Sequence, residues 1–221
     1  MKHLSTFATL ALLLFVTLPA NAVDAPATAA AAATTTATST APAVATLPPH
    51  VMGKPDAPIL LNEYVSLTCP HCAEFYTTIL PDIEKNYVDT GKVRIALHEF
   101  ARDAIDLKAF SLARCMPDDE YFAFIGVLFQ NQMAWIMAPD PDKILVQYAK
   151  LGGLSEDKAV SCLADSKTQE ALAAGVKEAE DKLKIASTPT FIVDPGGEKV
   201  EGGRPATEFA AMFDRLLAAK K

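Results

Sequence analysis

Two cysteines separated by two residues, Cys69-Pro70-His71-Cys72, stand where an apolar segment gives way to a helical one. The apolar segment, residues 59–65, is short and bounded by turn-forming residues, so it predicts a buried strand. From Ala73 to about Val88, apolar residues recur at helical spacing. At the first turn of such a helix, unpaired backbone N–H groups and the helix dipole favour a cysteine thiolate. The pattern therefore predicts an α/β core with a reactive dithiol at a helix start.

The remainder of the chain predicts how that core continues. A second strand over 93–97 follows Gly91, so strand, helix and strand form a right-handed crossover with a parallel pair. Strands return at 190–193 and 199–200 as a hairpin before an amphipathic last helix over 205–219. Between them, capping residues mark most starts of the predicted helices, which span 103–116, 118–131, 140–151, 155–164 and 166–183. We therefore expect a folded region over 51–221 with a helical insertion at about 102–185.

The N-terminal 50 residues predict export followed by a linker. An apolar run over 4–18 precedes Ala20-Asn21-Ala22, whose small residues fit a cleavage site, so residues 1–22 are interpreted as a secretory signal peptide. A membrane anchor is the alternative, but about 15 apolar residues fall short of the roughly 20 that span a bilayer. Residues 23–50 are Ala, Thr or Pro at 22 of 28 positions, which predicts a disordered linker. It either holds the domain off a surface or is an untrimmed leader.

Composition excludes several classes of protein. Half of the chain is apolar, which excludes disorder throughout. The formal net charge is −7 and no block of Lys or Arg is present, so nucleic acid is not an expected partner. The apolar stretch 121–137 is interrupted by Gln130, Asn131 and Gln132, which favours a buried helix over a membrane span.

The two cysteines of the motif have different predicted roles. Cys69, at the helix start, should be the nucleophile. Pro70 suits the first helical turn, and His71 adds positive potential beside Cys69 if it is protonated or donates a hydrogen bond. Cys72, one turn inward, should be the resolving thiol that closes or releases a mixed disulfide.

The strand, the Cys-Pro-His-Cys motif, the long helical insertion and the later Thr188-Pro189 resemble the DsbA family of thiol-disulfide oxidoreductases. This resemblance implies a thioredoxin-like fold with an inserted helical domain. It also implies that Pro189 follows a cis peptide bond beside the active site and leaves the backbone before it free to pair with an extended substrate. Glu63 resembles the buried acid that assists proton transfer at the resolving cysteine, for which burial would raise its pKa. An ordinary paired glutamate is the alternative.

The resemblance implies a periplasmic enzyme that introduces disulfide bonds into exported unfolded proteins and needs no cofactor. A quinone-linked membrane oxidase would reoxidise it. A disulfide isomerase or reductase with the same site is the alternative, because threonine also precedes the matching proline in isomerase-type relatives. Isomerases commonly oligomerise through an N-terminal domain, whereas a linker stands here, so we expect a monomer. A non-enzymatic exported metal-binding or chaperone-like module would instead keep its activity after Cys69→Ser.

Two further cysteines, Cys115 and Cys162, lie on predicted helices of the insertion, 47 residues apart. Four cysteines permit three pairings, and a Cys-x-x-Cys at a helix start is so often a local pair that a structural disulfide between Cys115 and Cys162 is expected. Two separate thiols or a second redox pair are the alternatives. A metal site at Cys69, His71 and Cys72 is not expected, because His98 is the only other histidine that the folded region after residue 50 offers.

Overall fold

Residues 45–219 are described by a computed structural model of the chain. In this part, one sheet contains β1 (His50–Met52), β2 (Ile59–Val65), β3 (Val93–Glu99), β4 (Thr190–Asp194) and β5 (Glu198–Glu201). Its strand order is β1-β3-β2-β4-β5. β2 and β3 are parallel and the other neighbours are antiparallel. The predicted strand-helix-strand crossover and the late hairpin are therefore present.

The first strand, β1, lies at the edge of the sheet and was not predicted. It pairs with β3 in the register His50 to Leu97, and Leu47 packs against the core just before it. The predicted signal peptide, residues 1–22, and residues 23–44 of the predicted linker lie outside the described residues. Residues 47–50 belong to the domain, so the linker boundary predicted at 50 falls inside the first strand. Three residues are too few to show a strand pattern in the sequence.

The helix that carries the cysteine motif covers residues 70–88 in four consecutive segments. These are α1 (Pro70–Glu74), a π-helical segment (Phe75–Ile79), α2 (Leu80–Ile83) and a second π-helical segment (Glu84–Val88). Its buried face includes Phe75, whose ring centroid lies 4.7 Å from that of Phe191 on β4. This contact fixes the start of the helix against the sheet. Single-turn π segments are frequent at functional sites.

Between β3 and β4 the chain is helical, as predicted. The helices are α3 (Ala104–Ala113), α4 (Tyr121–Gln130), α5 (Gln132–Ile136), α6 (Pro141–Leu151), α7 (Glu156–Leu163) and α8 (Ser166–Leu183). Side chains of the residues before α3, α6, α7 and α8 accept the N–H three positions further on. The caps of α3, α6 and α7 are the predicted ones, whereas α8 is capped by Asp165, one residue before its predicted start. The last helix, α9 (Ala206–Ala218), packs on the sheet through Phe209.

The apolar stretch 121–137 forms α4 and α5, which are separated at Asn131. Trp135 is fully buried and donates its indole N–H to the Leu128 carbonyl at 2.9 Å. The stretch is therefore core, as predicted. None of the helices within residues 45–219 has the length and apolar character that a membrane crossing needs.

A disulfide joins Cys115, just after α3, to Cys162 on α7, with the two Cα atoms 6.3 Å apart. The Ser111 hydroxyl donates to the Cys162 carbonyl at 2.7 Å beside it. The disulfide and this hydrogen bond hold two helices of the insertion together.

Candidate active site

Cys69 and Cys72 lie at the start of α1, after the short loop that follows β2. Cys69 is the N-cap residue, with extended backbone angles of −88° and 120°, and Pro70 occupies the first helical position. The Cys69 carbonyl accepts the first helical hydrogen bonds from the amides of Cys72 and Ala73, both at 3.1 Å. Both cysteines are free thiols, Cys69 2% exposed and Cys72 fully buried. The motif therefore opens a helix, as the sequence predicts.

The surroundings of Cys69 favour its thiolate. A hydrogen bond from the Cys72 thiol is the largest cause that lowers the pKa of Cys69, and the net result is a pKa of about 4. Burial opposes this shift, while the Thr188 side chain and the backbone amides of Cys72 and His71 add to it. A thiolate with amides at a helix start is the arrangement that makes a cysteine nucleophilic at neutral pH.

Cys72 has the opposite electrostatic environment. Burial is the largest cause that raises its pKa far above the ordinary thiol range, and the hydrogen bond that it donates to Cys69 adds to the rise. At neutral pH the pair therefore consists of one thiolate and one thiol. A nucleophilic Cys69 and a resolving Cys72, the roles that the sequence predicts, would need this asymmetry.

Pro70 and His71 form the exposed rim of the site. His71 acts on the Cys69 sulfur through its backbone N–H. Its imidazole is 76% exposed, and Nδ1 lies 3.7 Å from a Glu74 carboxylate oxygen. A cavity of about 330 Å³ next to this rim is lined by His71, Glu74, Thr78, Ile79, Gly203, Arg204 and Pro205. Open space is thus available beside His71.

The loop before β4 faces the cysteines. The Thr188-Pro189 peptide bond is cis. The Cys69 sulfur lies 3.3 Å from the Thr188 carbonyl oxygen, to which the protonated form of the thiol donates. The Pro189 carbonyl accepts from the Gly202 amide at 2.8 Å, which ties this loop to the end of β5. The structure therefore brings the Thr188-Pro189 loop to Cys69.

Glu63 lies on β2, opposite Leu97 of β3 and Phe191 of β4, and is fully buried. Burial is the largest cause that raises its pKa, to about 8. The nearby Tyr76 hydroxyl partly offsets that rise in pKa, but the Glu63 carboxyl and the Tyr76 hydroxyl do not form a hydrogen bond. Within residues 45–219 neither carboxyl oxygen nor this hydroxyl has a hydrogen-bond partner. At neutral pH Glu63 is a protonated acid inside the core, and burial is the largest cause that raises the pKa of the neighbouring Tyr76 hydroxyl.

Two residues that support the site, Asp106 and Gln132, were not predicted from the sequence. Asp106 of α3 is fully buried and accepts from the Ser66 hydroxyl at 2.6 Å and the Leu67 amide at 2.9 Å. Gln132 of α5 donates its side-chain amide to the carbonyls of Leu67 and Cys69. Both residues hold the loop that leads into the motif. No local sequence pattern indicates them, because their hydrogen-bond partners lie 39 to 65 positions away in the chain.

Other candidates lie outside this site. Cys115 and Cys162 are joined in the insertion. His98 stacks on Tyr64 with ring centroids 4.5 Å apart and shares a hydrogen bond of 3.0 Å with Asn62, so it does not join the cysteines. The described part of the chain brings together no group of three or more His, Cys, Asp or Glu side chains that could hold a metal ion.

A dithiol at the start of the helix after a buried strand, faced by a cis-proline loop, defines the thioredoxin-like class, and helices α3 to α8 add an insertion to it. The chain belongs to the thioredoxin family, whose sequence profile, described as Thioredoxin, matches residues 45–215. The predicted fold is thereby confirmed.

Solved structures confirm the resemblance to the DsbA family. The structure of Wolbachia pipientis alpha-DsbA1 is 31% identical, with a TM-score of 0.72, and the match covers 80% of this chain and 94% of that one. BdbD from Bacillus subtilis, in its oxidised form, shares the fold with a TM-score of 0.65 at 21% identity, over 80% of this chain and 98% of that one.

Curated relatives are similar over a shorter region. A Rickettsia bellii protein that carries the name of a protein-disulfide oxidoreductase is 34% identical over 145 residues, which is 65% of this chain and 56% of that protein. Disulfide bond formation protein D of Bacillus subtilis is 28% identical over 157 residues, 65% of this chain and 67% of the relative. The chain thus spans little more than half the length of its Rickettsia relatives.

Proposed function

We propose that this protein is a thiol-disulfide oxidoreductase that introduces disulfide bonds into unfolded exported proteins. The observation that carries the proposal is the stabilised thiolate of Cys69 beside the buried thiol of Cys72. A stabilised thiolate lowers the free energy of the reduced enzyme and makes its disulfide form a stronger oxidant. It also makes the Cys69 sulfur a good leaving group from a mixed disulfide.

The reaction consists of two exchange steps. A substrate thiolate attacks the Cys69 sulfur of the oxidised enzyme, so a mixed disulfide forms and the Cys69–Cys72 bond breaks. The Cys72 sulfur takes up a proton, because burial makes its thiolate unfavourable. A second substrate thiolate then attacks the substrate sulfur of the mixed disulfide, and Cys69 leaves as a thiolate. The substrate gains a disulfide and loses two electrons, which the enzyme holds as its dithiol.

Glu63 is proposed as the group that exchanges the proton of Cys72. Its carboxyl is fully buried, and its pKa of about 8 leaves it protonated at neutral pH. A neutral acid in the core can supply a proton when Cys72 becomes a leaving group and recover one when the pair is reoxidised.

The cis-proline loop is proposed as the substrate-binding edge. The Thr188 carbonyl lies 3.3 Å from the Cys69 sulfur, so an extended segment that pairs with the Thr188 backbone would carry its own cysteine to the nucleophile. The resemblance to DsbA proteins, in which the matching proline has this role, supports the assignment.

The cellular setting is proposed on the same grounds. The predicted signal peptide supports export, and the resemblance to DsbA proteins supports a periplasmic location and reoxidation by a quinone-linked membrane oxidase. We propose that the protein acts as a monomer. Threonine before Pro189 also fits an isomerase or reductase, which would use the same residues with a reducing partner.

The reduction potential of the Cys69–Cys72 pair tests the direction of electron flow. Protein lacking residues 1–22, with Cys115 and Cys162 replaced by serine to remove cross-talk, is equilibrated in graded glutathione buffers. A potential of about −120 mV, at the strongly oxidising end of the known scale, is expected for a disulfide donor. A potential near about −270 mV would overturn the oxidase and leave the isomerase or reductase.

A second assay separates an enzyme from a binding module. Cys69→Ser is expected to abolish oxidation of a reduced dithiol peptide while the far-ultraviolet circular dichroism spectrum stays that of the wild type. Residual exchange in this variant would remove Cys69 from the mechanism.

A further inference from the structure

The loop over residues 66–69 is held by side chains that come from the helical insertion. Both backbone groups of Leu67 are occupied: its N–H donates to Asp106 of α3 at 2.9 Å, and its carbonyl accepts from Gln132 of α5 at 2.7 Å. Thr68 adds a hydrogen bond of 3.0 Å from its hydroxyl to Asp103, just before α3. The chain that leads into the cysteine motif is therefore fixed by residues distant in sequence.

Gln132 also reaches the cysteine motif itself. The same amide nitrogen that contacts Leu67 donates to the Cys69 carbonyl at 3.0 Å. That carbonyl already accepts the amides of Cys72 and Ala73, so three donors converge on it. The Gln132 side chain is 5% exposed, which excludes water as an easy substitute donor.

The orientation of the Cys69 carbonyl matters because it belongs to the peptide unit that joins the N-cap residue to Pro70. Rotation of this unit moves the Cys69 sulfur relative to the next two amides, those of His71 and Cys72, which face it. A hydrogen bond aligned with a thiolate weakens steeply as its angle departs from linear. A hydrogen-bond donor that fixes the orientation of this carbonyl therefore affects how well the backbone amides at the start of the helix stabilise the Cys69 thiolate.

We propose that Gln132 is a positioning residue for the nucleophile: it holds the carbonyls of Leu67 and Cys69 so that the backbone amides of His71 and Cys72 face the Cys69 sulfur. The redox properties of the dithiol are thereby set in part from α5, outside the thioredoxin-like core. This inference rests on the proposed thiol-disulfide exchange at Cys69, and it assigns the insertion a role in tuning that exchange.

The test replaces the amide donor without changing the size of the side chain much. Gln132→Met keeps three rotatable bonds and loses both hydrogen bonds. The matched control is Gln169→Met in α8, whose side-chain amide also donates to one backbone carbonyl of the insertion, that of Leu163 at 2.8 Å, but not to the motif. Gln132→Asn, which retracts the donor by one methylene, serves as a second variant if the methionine variant does not fold.

Two quantities are measured: the pKa of Cys69, from the ultraviolet absorbance of its thiolate against pH, and the equilibrium constant with glutathione. In Gln132→Met the pKa should rise by about one unit, and the equilibrium should shift about tenfold towards the disulfide form, which corresponds to about 30 mV. Gln132→Asn should show a smaller shift in the same direction. The control should match the wild type in both quantities.

Two results would overturn the role of Gln132. One is wild-type values of both quantities in the folded Gln132 variants; the other is an equal shift in Gln169→Met, which would indicate a general loss of stability. The proposed function is tested separately, because a wild-type protein without thiol exchange would contradict that function whatever the Gln132 variants show.

Discussion

Glu63 illustrates the cost of keeping an ionisable group inside a core. Burial raises its pKa from 4.5 to about 8, so the folded protein holds Glu63 in its neutral form over most of the physiological pH range. The unfolded chain ionises near pH 4.5, and the stability that the neutral group provides is complete below that pH. It is lost as the pH rises towards 8. Between these two pH values the folded protein binds one more proton than the unfolded chain, so the free energy of unfolding decreases as the pH rises.

Glu63→Gln should therefore gain stability relative to the wild type as the pH rises. We expect the difference in the free energy of unfolding to grow by roughly 1 kcal/mol per pH unit between about pH 5 and pH 7.5, measured by urea denaturation. Glu156→Gln is the control, because Lys150 lowers the pKa of this exposed group and its difference should stay constant over that range. A constant difference for Glu63→Gln would mean that Glu63 is ionised in the folded protein.

The thiolate of Cys69 has a consequence for the potential of the dithiol. Above a pKa of about 4, reduction of the disulfide by two electrons takes up one proton, at Cys72. The potential should then fall by about 30 mV per pH unit between about pH 5 and pH 7. Two ordinary thiols would take up two protons and give a slope of about 60 mV. Glutathione equilibria at several pH values measure the slope, and the steeper value would contradict a thiolate at Cys69.

At the scale of elements, a buried ion pair joins β3 to the insertion. Glu99 at the end of β3 is paired with Arg114 at 2.7 Å and accepts the Tyr121 hydroxyl at 2.9 Å. Arg114 also donates to the Pro48 carbonyl at 2.8 Å, just before β1. His50 of β1 stacks on Tyr121 with ring centroids 3.6 Å apart. These contacts hold the segment that the sequence assigned to a linker.

Removal of one partner leaves a buried charge without its counter-ion. Arg114→Met should lower the free energy of unfolding by about 3 kcal/mol, and hydrogen exchange should become faster in β1. Lys177→Met is the control, because it breaks the exposed pair with Asp181 and should leave stability unchanged. Stability near that of the wild type in Arg114→Met would show that the ion pair contributes little.

Short-range sequence signals predicted most of the helices and strands. They did not predict elements that form only because of contacts with residues distant in sequence. The caps of α3, α6 and α7 are short-range, so the sequence indicates them. α4 begins at Tyr121, later than the predicted 118, and no side-chain cap is present at its start. β1 exists because the edge of β3 offers it a partner, which no pattern within three residues can show.

The same distinction applies to the candidate site. The cysteine motif and Thr188-Pro189 could be predicted because each consists of residues that are adjacent in the sequence. The burial of Glu63 follows from a position in an apolar strand, which the sequence also shows. Gln132, by contrast, acts on backbone carbonyls 63 and 65 positions away, and only the packing of the insertion brings it there.

At the scale of the whole molecule, the disulfide between Cys115 and Cys162 closes a loop over 47 positions. By the chain-entropy argument, such a cross-link destabilises the unfolded chain by about 4 kcal/mol. Replacement of both cysteines by serine should lower the free energy of unfolding by up to that amount, measured by urea denaturation without reductant. The hydrogen bond from Ser111 to the Cys162 backbone carbonyl does not depend on the disulfide, so the fold should persist.

The same double variant distinguishes a structural disulfide from a second redox pair. Its rate of dithiol peptide oxidation at Cys69 should equal that of the wild type, because the loop over 66–69 is held by Asp106 and Gln132 and not by the cross-link. The control is Cys115→Ser alone, which leaves a free thiol at Cys162 and should lose the same stability. Slower oxidation with unchanged stability would assign the second pair to electron transfer, since a cross-link that only restricts the unfolded chain cannot alter exchange in the folded one.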